Sequence, residues 1–148
     1  MTPYSLASLT VALGIRTGFK VSLINPPPGF VHRLNPLPEG VEFLVTARSN
    51  LDLVLFFATS RRELVERLPA IARTVNEAGG VWVCWASPVH LQSALSEETV
   101  RQVALDFGLV DNKVCYIDSV WTGLRLVRRG RPRPDKPERR ARAPIAEA

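Results

Sequence analysis

Gly79-Gly80-Val81-Trp82-Val83-Cys84-Trp85-Ala86-Ser87 is the stretch that decides the fold. An apolar run bounded by turn signals predicts a strand buried on both faces, here entered through two glycines and left at Ser87-Pro88. The glycines read as the stop of a preceding helix. That helix is expected from Ser60 to Ala78, with one apolar stripe through Leu64, Leu68, Ile71, Ala72 and Val75. Glu63 stands at the capping-box distance from Ser60, and Pro69 predicts a kink or break. Before the helix lies another apolar strand, Leu51 to Ala58. Strand, helix and strand make a βαβ unit, whose crossover is expected to be right-handed.

The same reading extends outward. Ser5 to Leu13 has the spacing of a short helix with Gly14 as its stop, and Lys20 to Ile24 reads as a strand. Asn25-Pro26-Pro27-Pro28-Gly29-Phe30 then forms a rigid loop, followed by one helical turn over Phe30 to Leu34 and a strand over Val41 to Thr46. Downstream, Ser87 to Leu95 is a loop, and Ser96-Glu97-Glu98 opens a helix that stops at Gly108. Two strands follow, Lys113 to Asp118 and Gly123 to Arg128, and their short link predicts an antiparallel pair. The expected fold is a single three-layer, Rossmann-like α/β domain over residues 1–128. Its mostly parallel sheet of about six strands is closed by a C-terminal antiparallel hairpin, a methyltransferase-like outline.

Charge separates the fold from the end of the chain. The net charge is +5 over 148 residues, yet Met1 to Val127 holds 11 basic and 11 acidic residues. The excess lies from Arg128 to Ala148, and 129–148 is a Pro/Arg-rich tail with no apolar periodicity, expected to be disordered. Weak electrostatic contact with nucleic acid through this tail is one functional reading. The tail has no aromatic residue, so base stacking is not supported. Cys84 and Cys115 fall in expected strands and read as buried free thiols rather than a disulfide framework. With two histidines, His32 and His90, they make no zinc pattern. No secretory leader and no membrane-spanning run are read, which points to the cytoplasm.

In an open α/β sheet, ligands bind beyond the carboxyl ends of the strands, at a topological switch point. The candidate ligand-binding residues there are Asn25, Arg48, Ser87 and His90. His90 has the pKa range of a general acid or base but no carboxylate beside it in sequence. Ser87 has no nucleophile elbow, and Asp111 and Asp118 read as a turn and a strand-end residue. Alternation puts Trp82 and Trp85 on opposite faces of their strand. A nucleotide or S-adenosylmethionine site normally has a glycine-rich turn after the first strand, where this chain has three prolines and so lacks three N–H donors. The second strand offers Arg48 in place of an acid for ribose hydroxyls. No catalytic residue, cofactor or metal is assigned.

Several collinear runs carry a resemblance. Leu13-Gly14-Ile15-Arg16-Thr17-Gly18 is similar to Leu-Gly-Ile-Lys-Pro-Gly, and Gly80-Val81-Trp82-Val83-Cys84-Trp85 to Gly-Leu-Trp-Val-Ser-Trp. Val110-Asp111-Asn112-Lys113-Val114-Cys115-Tyr116-Ile117-Asp118, with Trp121-Thr122-Gly123-Leu124, resembles Val-Asp-Val-Lys-Val-Cys-Ala-Ile-Asp and Trp-Ser-Gly-Leu. These runs resemble the bacterial domain of unknown function 3052 family (DUF3052). The resemblance implies a compact cytoplasmic domain and carries over no activity or catalytic residue. Members follow the second tryptophan with Pro-Lys-Lys, where this chain has Ala86-Ser87-Pro88-Val89-His90.

The main functional expectation is therefore a non-catalytic module that binds a small ligand or a protein. The alternative is a small Rossmann-like transferase-type enzyme, and the further alternative is nucleic-acid binding by the tail. A homodimer through an edge strand or exposed helix is a further partner reading.

Overall fold

The computed structural model describes residues 8–44, 50–87 and 95–128. Its centre is one six-stranded sheet in the order β2-β1-β3-β4-β6-β5. The strands are β1 (Lys20–Ile24), β2 (Glu42–Leu44), β3 (Leu51–Phe57), β4 (Val75–Ala86), β5 (Leu109–Tyr116) and β6 (Trp121–Arg128). The first four run parallel, and β6 lies antiparallel between β4 and β5. This is the expected Rossmann-like α/β sheet, mostly parallel and closed by an antiparallel hairpin.

Three helices are described, α1 (Leu9–Leu13), α2 (Arg61–Ala72) and α3 (Glu97–Asp106), with a 3-10 turn at Val31–Leu34. Serine caps each of the three. The Ser8, Ser60 and Ser96 hydroxyls accept from the backbone N–H of Val11, Glu63 and Thr99, which satisfies one free donor at each N-terminus. Helix α1 begins after Ser8, and Ser5 lies outside the described residues.

The central stretch departs from its expected reading. Helix α2 does not reach Ala78; it runs through Pro69 without a break and ends at Ala72, and β4 begins at Val75. Long-range contacts decide this. The Leu51 N–H donates to the Thr74 carbonyl at 2.9 Å, and the Arg128 guanidinium donates to the carbonyls of Ala72, Val75 and Asn76. Gly79 and Gly80 therefore sit inside a strand. Pairing passes from Leu51–Val75 to Leu53–Gly80, so β4 bulges there. A Cβ on Gly79 would lie 2.8 Å from the Asp52 carbonyl oxygen, and one on Gly80 would lie 2.8 Å from the Arg125 guanidinium carbon. Close approach of the β3 backbone accounts for Gly79, and neither glycine ends a helix.

Strand alternation feeds two cores. Val54, Phe56, Val81, Val83, Trp85, Leu124 and Leu126 face α2 and α3, meeting Leu64, Leu68, Ile71, Val100 and Val103. Leu53, Leu55, Phe57, Trp82, Cys84, Cys115 and Ile117 face the other way, where Leu13, Ile15, Phe30 and Leu34 cover them. Trp82 and Trp85 thus fall on opposite faces, as their spacing predicts. The Trp82 indole N–H donates to the Leu13 carbonyl at 2.9 Å, and the Thr10 hydroxyl donates to the Leu34 carbonyl at 2.5 Å. These two bonds tie short α1 to the sheet and to the 3-10 turn. Among the described residues, no helix is long and apolar enough to cross a membrane. The tail, 129–148, lies outside the described residues.

Candidate active site at the carboxyl edge of the sheet

From β1 the chain moves outward to β2, then returns to place β3 on the other side of β1. The carboxyl ends of β1 and β3 therefore flank the topological switch point, where an open α/β sheet leaves a crevice. Asn25 follows β1 in the left-handed region, at φ 58°, a conformation that asparagine adopts more readily than most residues. Its side-chain amide donates to Glu63 Oε2 at 3.0 Å. Glu63 Oε1 accepts from the Thr59 backbone N–H at 2.9 Å and from the Thr59 hydroxyl at 3.0 Å.

Local sequence builds this set. Ser60 starts α2, which places Glu63 in the first turn with its carboxylate back over the end of β3. The carboxylate lies at the helix N-terminus, where the backbone dipole favours negative charge. It remains open to solvent, with 23% side-chain exposure. Its two oxygens offer about four acceptor sites, of which Asn25 and Thr59 take three. The Arg67 guanidinium stands 4.0 Å from Oε2.

Of the four residues expected at the site, Asn25 stands at the switch point. Ser87 follows β4, and its backbone N–H donates to the Val120 carbonyl at 2.7 Å. Since β3 lies between β1 and β4, Asn25 and Ser87 start from strands about 10 Å apart. Arg48 and His90 lie outside the described residues. The sequence reading treated Glu63 only as a capping residue and did not place Thr59 among the candidate site residues. The available signal was two hydroxyl residues followed three positions later by glutamate, directly after a strand that ends at the sheet's carboxyl edge.

The proline loop does not stay at the switch point. Phe30 packs edge-on against Phe57 with ring centroids 4.9 Å apart, and Phe57 against Trp121 at 5.2 Å. Arg33 then reaches Asp118 at 2.8 Å. Burial works to raise the Asp118 pKa. The backbone N–H groups of Trp121 and Val120, together with the Arg33 guanidinium, outweigh it and hold the carboxyl below its usual value. Asp118 is a structural anion, and Asp111 likewise pairs with Arg101. Burial pushes the Cys84 thiol well above its ordinary pKa, with Cys115 adding to the effect. Burial also raises the Cys115 pKa, against the opposing charge of Lys113. Both cysteines pack as neutral hydrophobes. Among the described residues, no group of three His, Cys, Asp or Glu side chains could hold a metal ion.

The crevice can be tested for an S-adenosyl group. The glycine-turn mode of holding it does not fit, because Pro26, Pro27 and Pro28 have no N–H and the Phe30 N–H is spent on the Pro27 carbonyl. The side chains offer another mode. A carboxylate, an amide and a hydroxyl converge where ribose hydroxyls or an ammonium could meet them.

Comparison with solved structures places this architecture. A ribosomal protein methylase from Lactobacillus delbrueckii subsp. bulgaricus matches with a TM-score of 0.54 and 14% identity, over 85% of this chain and 78% of that one. The DhpI–SAH complex matches at 0.60 and 14%, over 86% and 85%. The mitomycin 7-O-methyltransferase MmcR matches at 0.60 and 13%, over 84% and 53%. No family model and no curated protein sequence matches the chain. The fold is that of the Rossmann-like methyltransferases. This corrects the expectation of a non-catalytic binding module, which rested on the missing glycine turn. The chain shares this fold over most of its length, and the transferase-type alternative is the reading that the comparison favours.

Proposed function

We propose that this protein is a small transferase-type enzyme of the methyltransferase outline, with its site at the carboxyl-edge crevice between β1 and β3. The observation that carries this reading is the convergence of Asn25, Thr59 and Glu63 at the switch point. The Glu63 carboxylate would accept from the ribose hydroxyls or the ammonium of a nucleoside-type donor. The Asn25 amide would hold that carboxylate in place, and the Thr59 hydroxyl would offer a further polar contact. An S-adenosyl compound bound there would supply an activated methyl group. The two free thiols suit a reduced compartment, so the bacterial cytoplasm is the proposed location. Membership of the DUF3052 family is proposed alongside, on the collinear motifs, and adds no chemistry.

Native mass spectrometry of the full-length protein with added S-adenosylmethionine or S-adenosylhomocysteine tests the reading. One bound molecule per chain is expected, and at least tenfold weaker binding in the double variant Thr59→Val, Glu63→Gln with its circular dichroism unchanged. Absence of binding at millimolar ligand, or equal binding by the double variant, overturns the assignment of this crevice.

A further inference from the structure

A second concavity lies at the other end of the sheet, away from the switch point. It is a groove of about 590 Å³ between α1 and edge strand β5, within the size range of ligand pockets. Leu9 and Ala12 of α1 line it on one side, and Cys115 and Ile117 on the other. Lys113 lines it at one end and Asp118 with Arg33 at the other. Lys113 lies within β5, and Asp118 lies two residues past its end.

The two ends differ in what they ask of a ligand. Asp118 is an anion already satisfied by Arg33 and by the N–H groups of Val120 and Trp121. It repels a second carboxylate. Lys113 is a cation with no ion-pair partner among the described residues. Between them lie Val114, Cys115, Tyr116 and Ile117, mainly apolar, and the Cys115 thiol adds no charge. The lining therefore carries one uncompensated positive charge beside a mainly apolar surface.

From this distribution we infer that the groove binds an apolar-bodied monoanion, of the kind represented by a medium-chain carboxylate. Its carboxylate pairs with Lys113, and its hydrocarbon body lies along Leu9, Ala12 and Ile117. The ligand enters at the edge of the sheet and makes no use of Asn25, Thr59 or Glu63. The inference therefore stands apart from the transferase reading.

Titration calorimetry of the full-length protein with dodecanoate, kept below its micelle concentration, tests this, with dodecanol as the uncharged counterpart. Saturable one-to-one binding of dodecanoate is expected, with dodecanol about fivefold weaker. Lys113→Met removes the charge at an exposed position and should weaken dodecanoate about fivefold, leaving dodecanol unchanged, as expected for one partly exposed ion pair. Ala12→Trp fills the groove and should weaken both. Several outcomes overturn the inference: no saturable binding, dodecanoate binding that ignores both substitutions, or equal affinity for acid and alcohol in the native chain. Binding that emerges only when residues 1–7 are removed would assign the groove to the chain's own N-terminal segment and would also overturn it.

Discussion

The polar cluster beside β1 and the groove beside β5 are built on opposite plans. In the crevice, polar groups satisfy one another: Glu63 holds Asn25 and Thr59, and the helix behind it holds Glu63. In the groove, apolar walls face a lone Lys113 charge. A set of fixed donors and acceptors orients a polar ligand and rejects one that leaves a partner unpaired. A hydrophobic trough with one charge supplies affinity with little orientation. The first plan suits chemistry on a positioned group, the second retention of an amphipathic molecule.

The two regions are joined by the row Phe30, Phe57 and Trp121, which runs from the proline loop across the end of β3 to the start of β6. Phe57 is buried between the other two rings. Phe57→Ala removes the middle of the row and leaves a cavity, at a cost of about 3–5 kcal/mol. Urea unfolding should show a lower midpoint at an unchanged slope. A loss below about 1 kcal/mol would mean that the row does not tie the two regions together, and each could then be altered without regard to the other.

A smaller effect separates the regions by pH. Asp118 has a folded-state pKa below its unfolded value, so it binds protons less readily when folded. Its stabilisation is complete above the unfolded value and is lost as pH falls through the folded one. With an ordinary aspartate near 3.9, the loss should begin below about pH 5. The Arg33 side chain is 42% exposed, so the ion pair is screened and its share is held to about 1 kcal/mol. Asp118→Asn should therefore lower stability at neutral pH and flatten the acid limb of a melting-temperature profile. An unchanged acid limb would show that Asp118 is not the anion that anchors the hairpin end of the groove.

The contrast between these regions also explains what was legible in the sequence. Strand identity and the antiparallel closure followed from alternation and turn residues, and the caps at Ser60 and Ser96 followed from local chemistry. The carboxyl edge of the sheet was legible as a place, but the sheet order that puts the switch point between β1 and β3 was not. Its occupants were legible only in part. Glu63 reads as a cap because its bond to Asn25 spans 38 residues, and no local pattern announces that contact. Arg33 and Asp118 are 85 residues apart. The glycine pair failed in the same way. Gly79-Gly80 satisfies the rule for a helix stop, but pairing with β3, distant in sequence, sets its structure. Local rules failed where a distant partner decided the conformation.

The smallest expected effect bears most directly on function. Glu63→Gln keeps the size of the side chain and removes its charge. Its remaining carbonyl can still accept from Thr59, and the Asn25 amide can rotate to present its oxygen to the new NH2 group. What is lost is charge-assisted bonding and the favourable position at the N-terminus of α2, about 0.5–1 kcal/mol. A cap alone predicts that modest loss in a urea titration and nothing else. A ligand-holding carboxylate predicts the same modest loss together with weaker binding of S-adenosylhomocysteine, by about tenfold or more. Measuring both on one variant distinguishes them, because the packing around Glu63 is preserved and only its charge changes. Stability falling alone would leave Glu63 as a brace for Asn25 and Thr59. Binding falling far more than stability would make the crevice the working part of the sheet.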